Sequence, residues 1–483
     1  MKKTKISILS VAAVLVLTSC ENNSSVQPSN NTTNNEQQSS SIIPISYEAQ
    51  SEVSNDNFTL LVPKDVSSMS PNCKQYVDDM REQQQRLIED KGEDADYYIN
   101  DLYGEEGVDL TKGVLSGNNG GYRDGTVEND YLDDPSAEWE KGEKSDENKG
   151  VNIEFRPAEG LKDQQYVVTY SVNADFSNSI STEPTSGTVV NIRNLLVNQK
   201  YYVKVSANGQ ESATMEFTTG DYPRWIDARP MFNVRDHGGY MTSSGQRIKQ
   251  GMVYRGGEIT DAVGWTGASS YTGDTGSPHV DSSNRMRDGH ITTQNSESQK
   301  VFRDVMGMVG GLEIDLRSSG ETNGYPKVAN KCGFADTNGD IDYKLIPISS
   351  YANGVNNNKP DIKKCFDAFA EADEHPVYYH CYGGADRTGT VGFLLGAVLG
   401  MSYTDLVIDF ELTSYSSNPS RNYRSHLRNG PYNDWPNFIN TLKNSYGFTS
   451  SKTIKESAEE YLINQCGVVE ETIRTIRNIM LED

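Results

Sequence analysis

The sequence predicts a multidomain protein in which a layered α/β domain, with a central sheet flanked by helices, follows a small all-β sandwich. The chain has 483 residues, which is too long for one ordinary hydrophobic core. Residues 150–220 hold short runs rich in β-branched and aromatic side chains, whereas residues 221–483 alternate strand and helix patterns. Because these two patterns bury their apolar faces in different ways, each predicts a domain of its own.

Residues 1–20 have the pattern of a processing signal and not of a folded element. A lysine-rich start precedes the apolar run Ile6–Leu17, which is too short to span a bilayer comfortably. The run ends in Leu-Thr-Ser-Cys20, which resembles the lipobox of bacterial lipoproteins. This resemblance implies export and lipidation of Cys20, with anchoring to a bacterial membrane at its periplasmic face or at the cell surface. The alternative is a plain secretory signal with an incidental cysteine.

The next two segments lack the pattern of a complete domain. Residues 21–46 are mostly Asn, Ser, Gln and Thr, and they predict a flexible tether. Residues 47–149 are acidic and predict one helix at 72–91 within a partly ordered extension of no assigned role.

The predicted sandwich at 150–220 consists of short runs that turn residues separate. These runs are Val151–Phe155, Gln165–Ser171, Thr188–Ile192, Tyr201–Val205 and Ala213–Phe217. The segment from Leu195 to Val205 resembles the fibronectin type III pattern, in which a tyrosine corner precedes a strand. That resemblance implies a structural role for Tyr201 and an accessory module that positions or recognises a partner.

Residues 221–483 alternate strands and helices as a layered domain requires. The predicted strands are Leu312–Arg317, Lys344–Ile348 and Pro376–His380, and the predicted helices are Ile362–Ala372 and Thr388–Met401. The tail at 435–480 predicts amphipathic helix that is broken at Gly447 and Gly467.

The formal net charge of -24 at pH 7 limits the classes of partner. So acidic a chain repels the phosphates of nucleic acid and the surface of an anionic membrane, so neither is expected as a ligand. Any anionic ligand, a phosphate group included, must therefore be attracted by a local site.

One of the six cysteines stands in a chemically suggestive context. The cysteines are scattered, and no C-x-x-C pair indicates a disulfide framework or a zinc site. The histidines other than His380 form no ligand-spaced cluster, so neither a metal nor another cofactor is expected. Cys381 differs from the other cysteines because an arginine, Arg387, follows it six residues later.

His380–Gly389 predicts a phosphate-binding loop between a strand and a helix. The backbone N–H groups of such a loop point inward, and the helix N-terminus lowers the pKa of a cysteine placed there. Cys381 would attack phosphorus as a thiolate, Arg387 would fork onto two phosphate oxygens, and Thr388 would hydrogen-bond the leaving sulfur. The expected substrate-binding positions are Tyr382, Gly383, Gly384, Ala385 and Gly389. The pattern predicts hydrolysis of a phosphate ester through a phosphocysteine.

The loop resembles the signature of protein tyrosine phosphatases, above all the atypical bacterial tyrosine and dual-specificity branch with its H-C-x-x-G-K-D-R-T-G loop. Asn233–Tyr240 with Val253–Glu258 resembles the N-terminal motif of that branch, and Ile314–Ser318 with Glu321 resembles its D-L-R-x-x-x-E strand end. The final helices are also similar, so the resemblance covers about residues 221–483. It implies a cysteine-dependent protein tyrosine phosphatase and leaves dual specificity open.

The resemblance further implies where the leaving phenolate obtains its proton. In that branch the acid lies within the loop, at the position of Asp386. Asp315 at the strand end is the second candidate, although it could instead orient an arginine. Supporting roles are expected for His380, Asn233, Arg235 and Arg317.

Two departures from the branch concern the substrate. Ala385 stands where the branch has a lysine associated with the additional phosphates of phosphoinositides, which favours protein phosphotyrosine here. Residues 261–289 look like an insertion, which could be a mobile lid over the site or an inert surface loop.

The sequence is compatible with three functional hypotheses. The first is a phosphatase acting on a phosphorylated protein or a small phosphate ester. The second is an inositol-phosphate or phosphoinositide phosphatase. The third is a catalytically silent phosphate-binding or adhesion lipoprotein, which the intact set of Cys381, Asp386 and Arg387 disfavours.

Overall fold

The computed structural model describes residues 51–69, 71–99, 149–228, 231–258, 301–319, 321, 341–371, 375–416, 434–449 and 451–483. These ranges belong to one compact unit that runs from residue 50 to the C-terminus. None of the helices in them is long and apolar enough to cross a membrane. The predicted signal with Cys20, the predicted tether and the predicted insertion at 261–289 lie outside the described residues.

Two antiparallel sheets form the N-terminal part of this unit. The first has the strand order β1 (Glu52–Ser54), β2 (Phe58–Leu61), β3 (Val151–Pro157) and β6 (Val189–Ile192). The second has the order β5 (Ile180–Ser181), β4 (Val167–Ser171), β7 (Lys200–Ala207) and β8 (Gln210–Glu211), and β9 (Met215–Thr218) also pairs with β7. Alternate residues of these strands are buried in one apolar core, as expected where two sheets pack face to face.

The turn before β7 is fixed by Tyr201. Its hydroxyl accepts a hydrogen bond from the backbone N–H of Leu196 at 2.9 Å, which is the geometry of a tyrosine corner. The ring is buried in the core of the sandwich, where it stacks against Phe217. This position agrees with the structural role that the sequence implied for Tyr201.

The sandwich begins well before the boundary predicted at residue 150. β2 pairs with β3 along its whole length, so Leu60 lies opposite Phe155 and both are buried in the sandwich core. The predicted extension at 47–149 therefore supplies two strands, and its helix α1 (Pro71–Lys91) packs Cys73 and Met80 into the core of the α/β domain. Strands of three and four residues are too short for an alternating pattern to be recognised in the sequence.

The α/β domain is built on a five-stranded sheet. Its order is β10 (Arg235–Asp236), β11 (Val253–Gly256), β14 (Val377–His380), β12 (Leu312–Asp315) and β13 (Asp342–Leu345). β10 is antiparallel to β11, whereas the other neighbouring strands are parallel. The carboxyl ends of β12 and β14 consequently meet at one edge, where Asp315 lies opposite His380.

Helices and apolar clusters cover both faces of this sheet. Successive residues of β14 alternate between the two faces, so Tyr379 joins one apolar cluster and Tyr378 another. The helices after the first strands are α2 (Tyr351–Asn357), α3 (Lys359–Phe369), α4 (Asp386–Leu399), α5 (Tyr403–Glu411), α6 (Asp434–Tyr446), α7 (Ile454–Tyr461) and α8 (Glu470–Met480). Short 3-10 turns occur at Ala95–Tyr97, Glu159–Leu161 and Leu412–Tyr415, and π-helical turns at Val301–Val305 and Leu462–Cys466.

Some element bounds differ from those predicted. β13 ends at Leu345 and not at residue 348, because Pro347 has no N–H with which to continue a strand ladder. α3 begins at Lys359 and ends at Phe369, three residues earlier than predicted, because Pro360 is favoured in the first turn of a helix. The predicted breaks at Gly447 and Gly467 coincide with left-handed backbone conformations after a helix.

The sandwich is hydrogen-bonded to the α/β domain through the turn before β7. The side-chain amide of Gln250 accepts from the N–H of Val197 at 2.9 Å and donates to its carbonyl at 3.0 Å. The buried Arg224 donates to two carbonyls of the same turn and pairs with Asp236 at 2.7 Å. Asp236 belongs to β10, so the sandwich is joined directly to the sheet that carries the candidate site.

Candidate active site

The loop that carries Cys381 connects the end of β14 to the start of α4. Gly384 has a φ of +64°, and a Cβ there would lie 2.3 Å from the backbone of Gly256, so no other residue fits. Ala385 is the buried N-cap residue of α4. The first N–H groups of α4 have no acceptor in the helix, so they are available to an anion in the loop.

The backbone of Gly389, a residue predicted to bind substrate, takes part in α4. It lies within the first turns of α4, and its N–H donates to the carbonyl of Ala385 at 3.0 Å. That N–H is therefore used inside the helix and is not offered to a ligand.

The guanidinium of Arg387 is held by a carboxylate across the loop. Its two terminal nitrogens lie 2.7 and 2.8 Å from the two carboxylate oxygens of Glu321, which makes a bidentate pair. Glu321 also accepts from the N–H and the hydroxyl of Ser318. Burial opposes ionisation of Glu321, but Arg387 outweighs it and lowers the pKa of this carboxyl to about 2. The planar fork of Arg387 is thus oriented before any phosphate arrives.

The thiol of Cys381 is buried, with 3% of its surface exposed, and it lies in a cationic environment. Burial raises its pKa, but the Arg387 guanidinium and the neighbouring hydroxyl and N–H of Thr388 outweigh burial, so the pKa is lowered. Cys365 shows the contrast: it is equally buried without an arginine beside it, and its pKa is raised. Of the described cysteines Cys365, Cys381 and Cys466, only Cys381 has surroundings that lower the pKa of its thiol.

The two candidate acids occupy different environments. Asp386 is half-buried at the start of α4 and accepts a hydrogen bond from the Tyr351 hydroxyl at 2.9 Å. Tyr351 is fixed in turn, because its N–H donates to Thr390 and its backbone has a φ of +49°. Asp386 is therefore partly accessible to solvent and has a defined side-chain partner.

Asp315 is fully buried beneath the loop. It pairs with Arg317 at 2.8 Å and accepts from the Tyr343 hydroxyl at 3.1 Å. Burial opposes its ionisation, but Arg317 and His380 outweigh it and lower the pKa of the Asp315 carboxyl. Arg317 also pairs with the buried Glu258 at 2.7 Å. An ionised carboxylate in such a network orients arginine and has no proton to donate.

His380 lies between two hydrogen-bond acceptors. Its Nδ1 is 3.0 Å from the carbonyl oxygen of Cys381, and its Nε2 is 2.9 Å from a carboxylate oxygen of Glu313. Two acceptors require two N–H donors, which only the imidazolium has. Burial opposes this charge, but Asp315 and Glu313 outweigh it and raise the pKa of His380.

Glu313, Asp315 and His380 could also be considered as metal ligands, since their ligand atoms lie within 4.8 Å of one another. Each is already engaged, however, because Glu313 bonds His380 and Asp315 pairs with Arg317. We therefore interpret this buried cluster as a closed ion-pair network beneath the loop.

A second buried network supports the loop from the side of β10 and β11. Asn233 donates to the carbonyl of Gly383 at 3.0 Å, and Arg255 donates to that of Gly384 at 2.9 Å. Asp409 of α5 neutralises both Arg255 and Arg235, with which it forms buried ion pairs. Arg235 in turn bonds the side-chain oxygen of Asn233. The supporting roles expected of Asn233 and Arg235 thus correspond to direct and indirect contacts with the loop.

Several residues of the site were not predicted. Arg255 and Glu258 flank the glycine pair of the Val253–Glu258 motif, so their charges at that position could have indicated a role in the site. Glu313 lies inside a predicted strand, where nothing in the sequence marks it as a site residue. Asp409 and Tyr351 lie in segments without any motif. The fold brings these three to the loop from separate elements.

The comparisons with known proteins agree with this geometry. A family model described as "Tyrosine phosphatase family" matches residues 226–266 and 268–482, which together are more than half of the chain. No curated protein matches the chain.

Proposed function

The chain belongs to the tyrosine phosphatase family, and on this premise we propose that it hydrolyses phosphotyrosine through a phosphocysteine intermediate. The observation that carries the proposal is the Cys381 thiol, whose pKa is lowered by Arg387 and Thr388 at the N-terminus of α4. A thiolate at this position can attack a phosphorus atom that the loop N–H groups and Arg387 hold by its oxygens.

In the first step the Cys381 thiolate attacks phosphorus, an S–P bond forms, and the P–O bond to the phenolic oxygen breaks. Asp386 transfers its proton to that oxygen, so the leaving group departs as a neutral phenol. Arg387, oriented by Glu321, donates the N–H groups that Glu321 does not use to the phosphoryl oxygens throughout this step.

In the second step water attacks the phosphorus of the phosphocysteine. The Asp386 carboxylate accepts a proton from this water, the S–P bond breaks, and inorganic phosphate and the thiolate are released. The hydroxyl of Thr388 stabilises the departing sulfur, in keeping with its effect on the pKa of Cys381. Both steps use one carboxyl group in two protonation states.

We assign the acid to Asp386 and a positioning role to Asp315. The support for this choice is that Asp386 is only half-buried, whereas Asp315 is ionised and 0% exposed. Asp386→Asn should slow aryl phosphates with poor leaving groups by about 10²-fold or more and affect good leaving groups little. Asp315→Asn producing that leaving-group dependence alone would contradict the assignment.

The mechanism is tested by turnover of an aryl phosphate in the presence of a metal chelator. We expect turnover by the purified protein and its loss in Cys381→Ser, because a hydroxyl at this position ionises far less readily than a thiol. Alkylation of Cys381 by iodoacetate should also inactivate, and inorganic phosphate should protect. Activity that survives Cys381→Ser, or that the chelator removes, would contradict the mechanism.

For the substrate class we propose protein phosphotyrosine in preference to inositol phosphates. The buried Ala385 supplies no cation at the loop position where a lysine would serve additional phosphates. A panel of phosphotyrosine peptides, phosphoserine peptides and inositol phosphates tests this preference and decides dual specificity. Higher kcat/KM for an inositol phosphate than for every peptide would reverse it.

We also propose that the protein is exported and lipidated at Cys20, on the strength of the lipobox-like sequence that ends the N-terminal apolar run. Cells that express it and are labelled with a radioactive fatty acid should yield labelled protein, and Cys20→Ala should remain unlabelled. Equal labelling of both would contradict lipidation at this residue.

The sandwich is proposed to be a fibronectin type III-like module. Its supports are the strand order β2-β3-β6 facing β5-β4-β7-β9 and the tyrosine corner at Tyr201. An experimental structure of the protein with a different strand order would contradict this proposal.

A further inference from the structure

A groove of about 540 Å³ lies between α2 and α6, beside the candidate active site. Its walls carry only uncharged side chains, and four of them are asparagines, with Asn353 on α2 and Asn437, Asn440 and Asn444 on α6. We call it the asparagine groove. In a chain with a net charge of -24, a wall without charged side chains offers hydrogen-bonding groups but no ion-pair partner to a ligand.

The three asparagines of α6 form a row. Their spacing of three and four residues places them on one face of the helix. At 1.5 Å per residue the row is about 10 Å long, which matches about three residues of an extended peptide at 3.3 Å each. All three side chains are exposed. Their side-chain amide groups make no hydrogen bond to any part of the chain that the structure describes.

The groove is connected to the catalytic loop by Tyr351. This residue lines the groove, and its hydroxyl reaches Asp386 at 2.9 Å. Asp386 is the residue that protonates the leaving tyrosine in the proposed mechanism. The groove is therefore separated from this acid by a single side chain, that of Tyr351.

We propose that the asparagine groove binds the main chain of a phosphotyrosine peptide in an extended conformation while the phosphate occupies the Cys381 loop. Each asparagine amide offers one acceptor oxygen and two N–H donors, which complement the alternating N–H and C=O groups of a peptide backbone. The absence of charge among the lining residues gives no partner to additional phosphates, so an inositol polyphosphate fits this groove poorly. This inference rests on the proposed function and adds how the substrate is recognised.

The test compares two substrates on the full chain in detergent. Asn437→Ala, Asn440→Ala and Asn444→Ala are combined in one variant, which is assayed with a ten-residue phosphotyrosine peptide and with a small aryl phosphate. Loss of a few neutral hydrogen bonds should lower kcat/KM for the peptide about 10- to 100-fold, mainly through KM. The aryl phosphate, which is too small to reach the groove, should be turned over as before. Asn478→Ala, an exposed asparagine on α8, is the matched control and should change neither substrate.

A second measurement needs no variant and so does not depend on how the substitutions fold. Peptides that are N-methylated at single backbone amides on either side of the phosphotyrosine should show raised KM on one side, since methylation removes a donor. An unchanged KM across the methylated series, or an unchanged peptide KM in the triple variant, would overturn the inference. The inference would also be overturned if the triple variant had a raised KM for an inositol phosphate and an unchanged KM for the peptide. Absence of aryl phosphate turnover by the unaltered protein would instead refute the proposed function, so the two failures are distinguishable.

Discussion

Glu313→Gln tests whether a buried charge beneath the loop keeps His380 protonated. The substitution preserves the size of the side chain and removes its charge. Glu313 lies 2.9 Å from Nε2 of His380, and both side chains are almost completely buried. The amide of glutamine can still accept a hydrogen bond, so the change isolates the electrostatic contribution of Glu313.

The magnitude follows from the loss of one partner of a buried ion pair. Leaving the imidazolium without its nearest carboxylate should lower the free energy of unfolding by about 3–5 kcal/mol. We expect the lower end of this range, because Asp315 also faces His380 and favours its charge, while Arg317 opposes it. A folded-state pKa above the ordinary value of about 6.5 means that the ion pair stabilises fully below that pH. Its contribution is lost as the pH rises through the folded-state pKa.

The assay is urea unfolding of the unaltered protein and of Glu313→Gln at pH 6 and at pH 9. The difference in unfolding free energy between the two proteins should be large at pH 6 and smaller at pH 9. Contributions of other titrating groups are the same in both proteins and cancel in this difference. Glu460→Gln is the matched control, since it removes the charge of a surface pair with Lys452 and should cost at most about 1 kcal/mol.

Two outcomes would refute the argument about His380. One is a difference below about 1 kcal/mol at pH 6, which would mean that the imidazole is neutral and loses little with Glu313. The other is an equal difference at pH 6 and pH 9, which would mean that the effect does not involve a proton on His380. Nitrogen chemical shifts of the His380 ring would show directly whether both nitrogens carry hydrogen.

Tyr351→Phe should lower kcat about tenfold for aryl phosphates with poor leaving groups and leave good leaving groups unchanged, because Asp386 loses the hydroxyl that orients it; equal loss for both kinds of substrate would contradict this. Thr388→Val should raise the pKa of the Cys381 thiol, since the hydroxyl that stabilises the thiolate is lost. The pH dependence of iodoacetate inactivation measures that pKa, and an unchanged profile would exclude the contribution of Thr388. Tyr201→Phe should lower the free energy of unfolding by about 1–3 kcal/mol without changing aryl phosphate turnover, because a backbone N–H in the sandwich loses its acceptor; denaturant unfolding measures the change, and no change would place the hydroxyl outside the stabilising contacts.

The strands and helices next to the loop could be predicted because their sequences are locally unambiguous. The run Val377–His380 is apolar and β-rich, and the helix that follows the loop is almost wholly buried. A segment with this pattern can adopt few other secondary structures, since a β-rich run, a glycine-rich turn and an apolar helical run favour one local arrangement. The cysteine and the arginine of the loop follow from the same local pattern.

The first two strands could not be predicted, for a reason that depends on distance along the chain. β2 is a strand because β3 pairs with it, and about ninety residues separate the two in the sequence. Strand pairing of this kind is set by packing between distant segments and not by local preference. Tyr351 and Asp409 could not be predicted for the same reason. Each acquires its role only when its helix packs against the loop.

The supporting residues act on the loop through the orientation of its peptide groups. Four successive carbonyl groups of the loop accept hydrogen bonds from donors behind it. These pairs are His380 with the carbonyl of Cys381, the N–H of Glu258 with Tyr382, Asn233 with Gly383, and Arg255 with Gly384. In a trans peptide the C=O and the next N–H point in opposite directions. Each carbonyl that is held from behind therefore turns one N–H toward the inside of the loop, where a phosphate would lie.

This arrangement explains why charged residues are buried around the loop at all. Buried ion pairs are a weak source of stability, because desolvation offsets most of their attraction. A charged donor, however, holds a carbonyl more strongly than a neutral one does, and both His380 and Arg255 hold loop carbonyls. Glu313 and Asp409 neutralise these two donors, so the loop is fixed without an excess of buried positive charge. The donors that remain for a ligand are the N–H groups at the N-terminus of α4 and those of Arg387 that Glu321 does not use, beside the thiolate of Cys381.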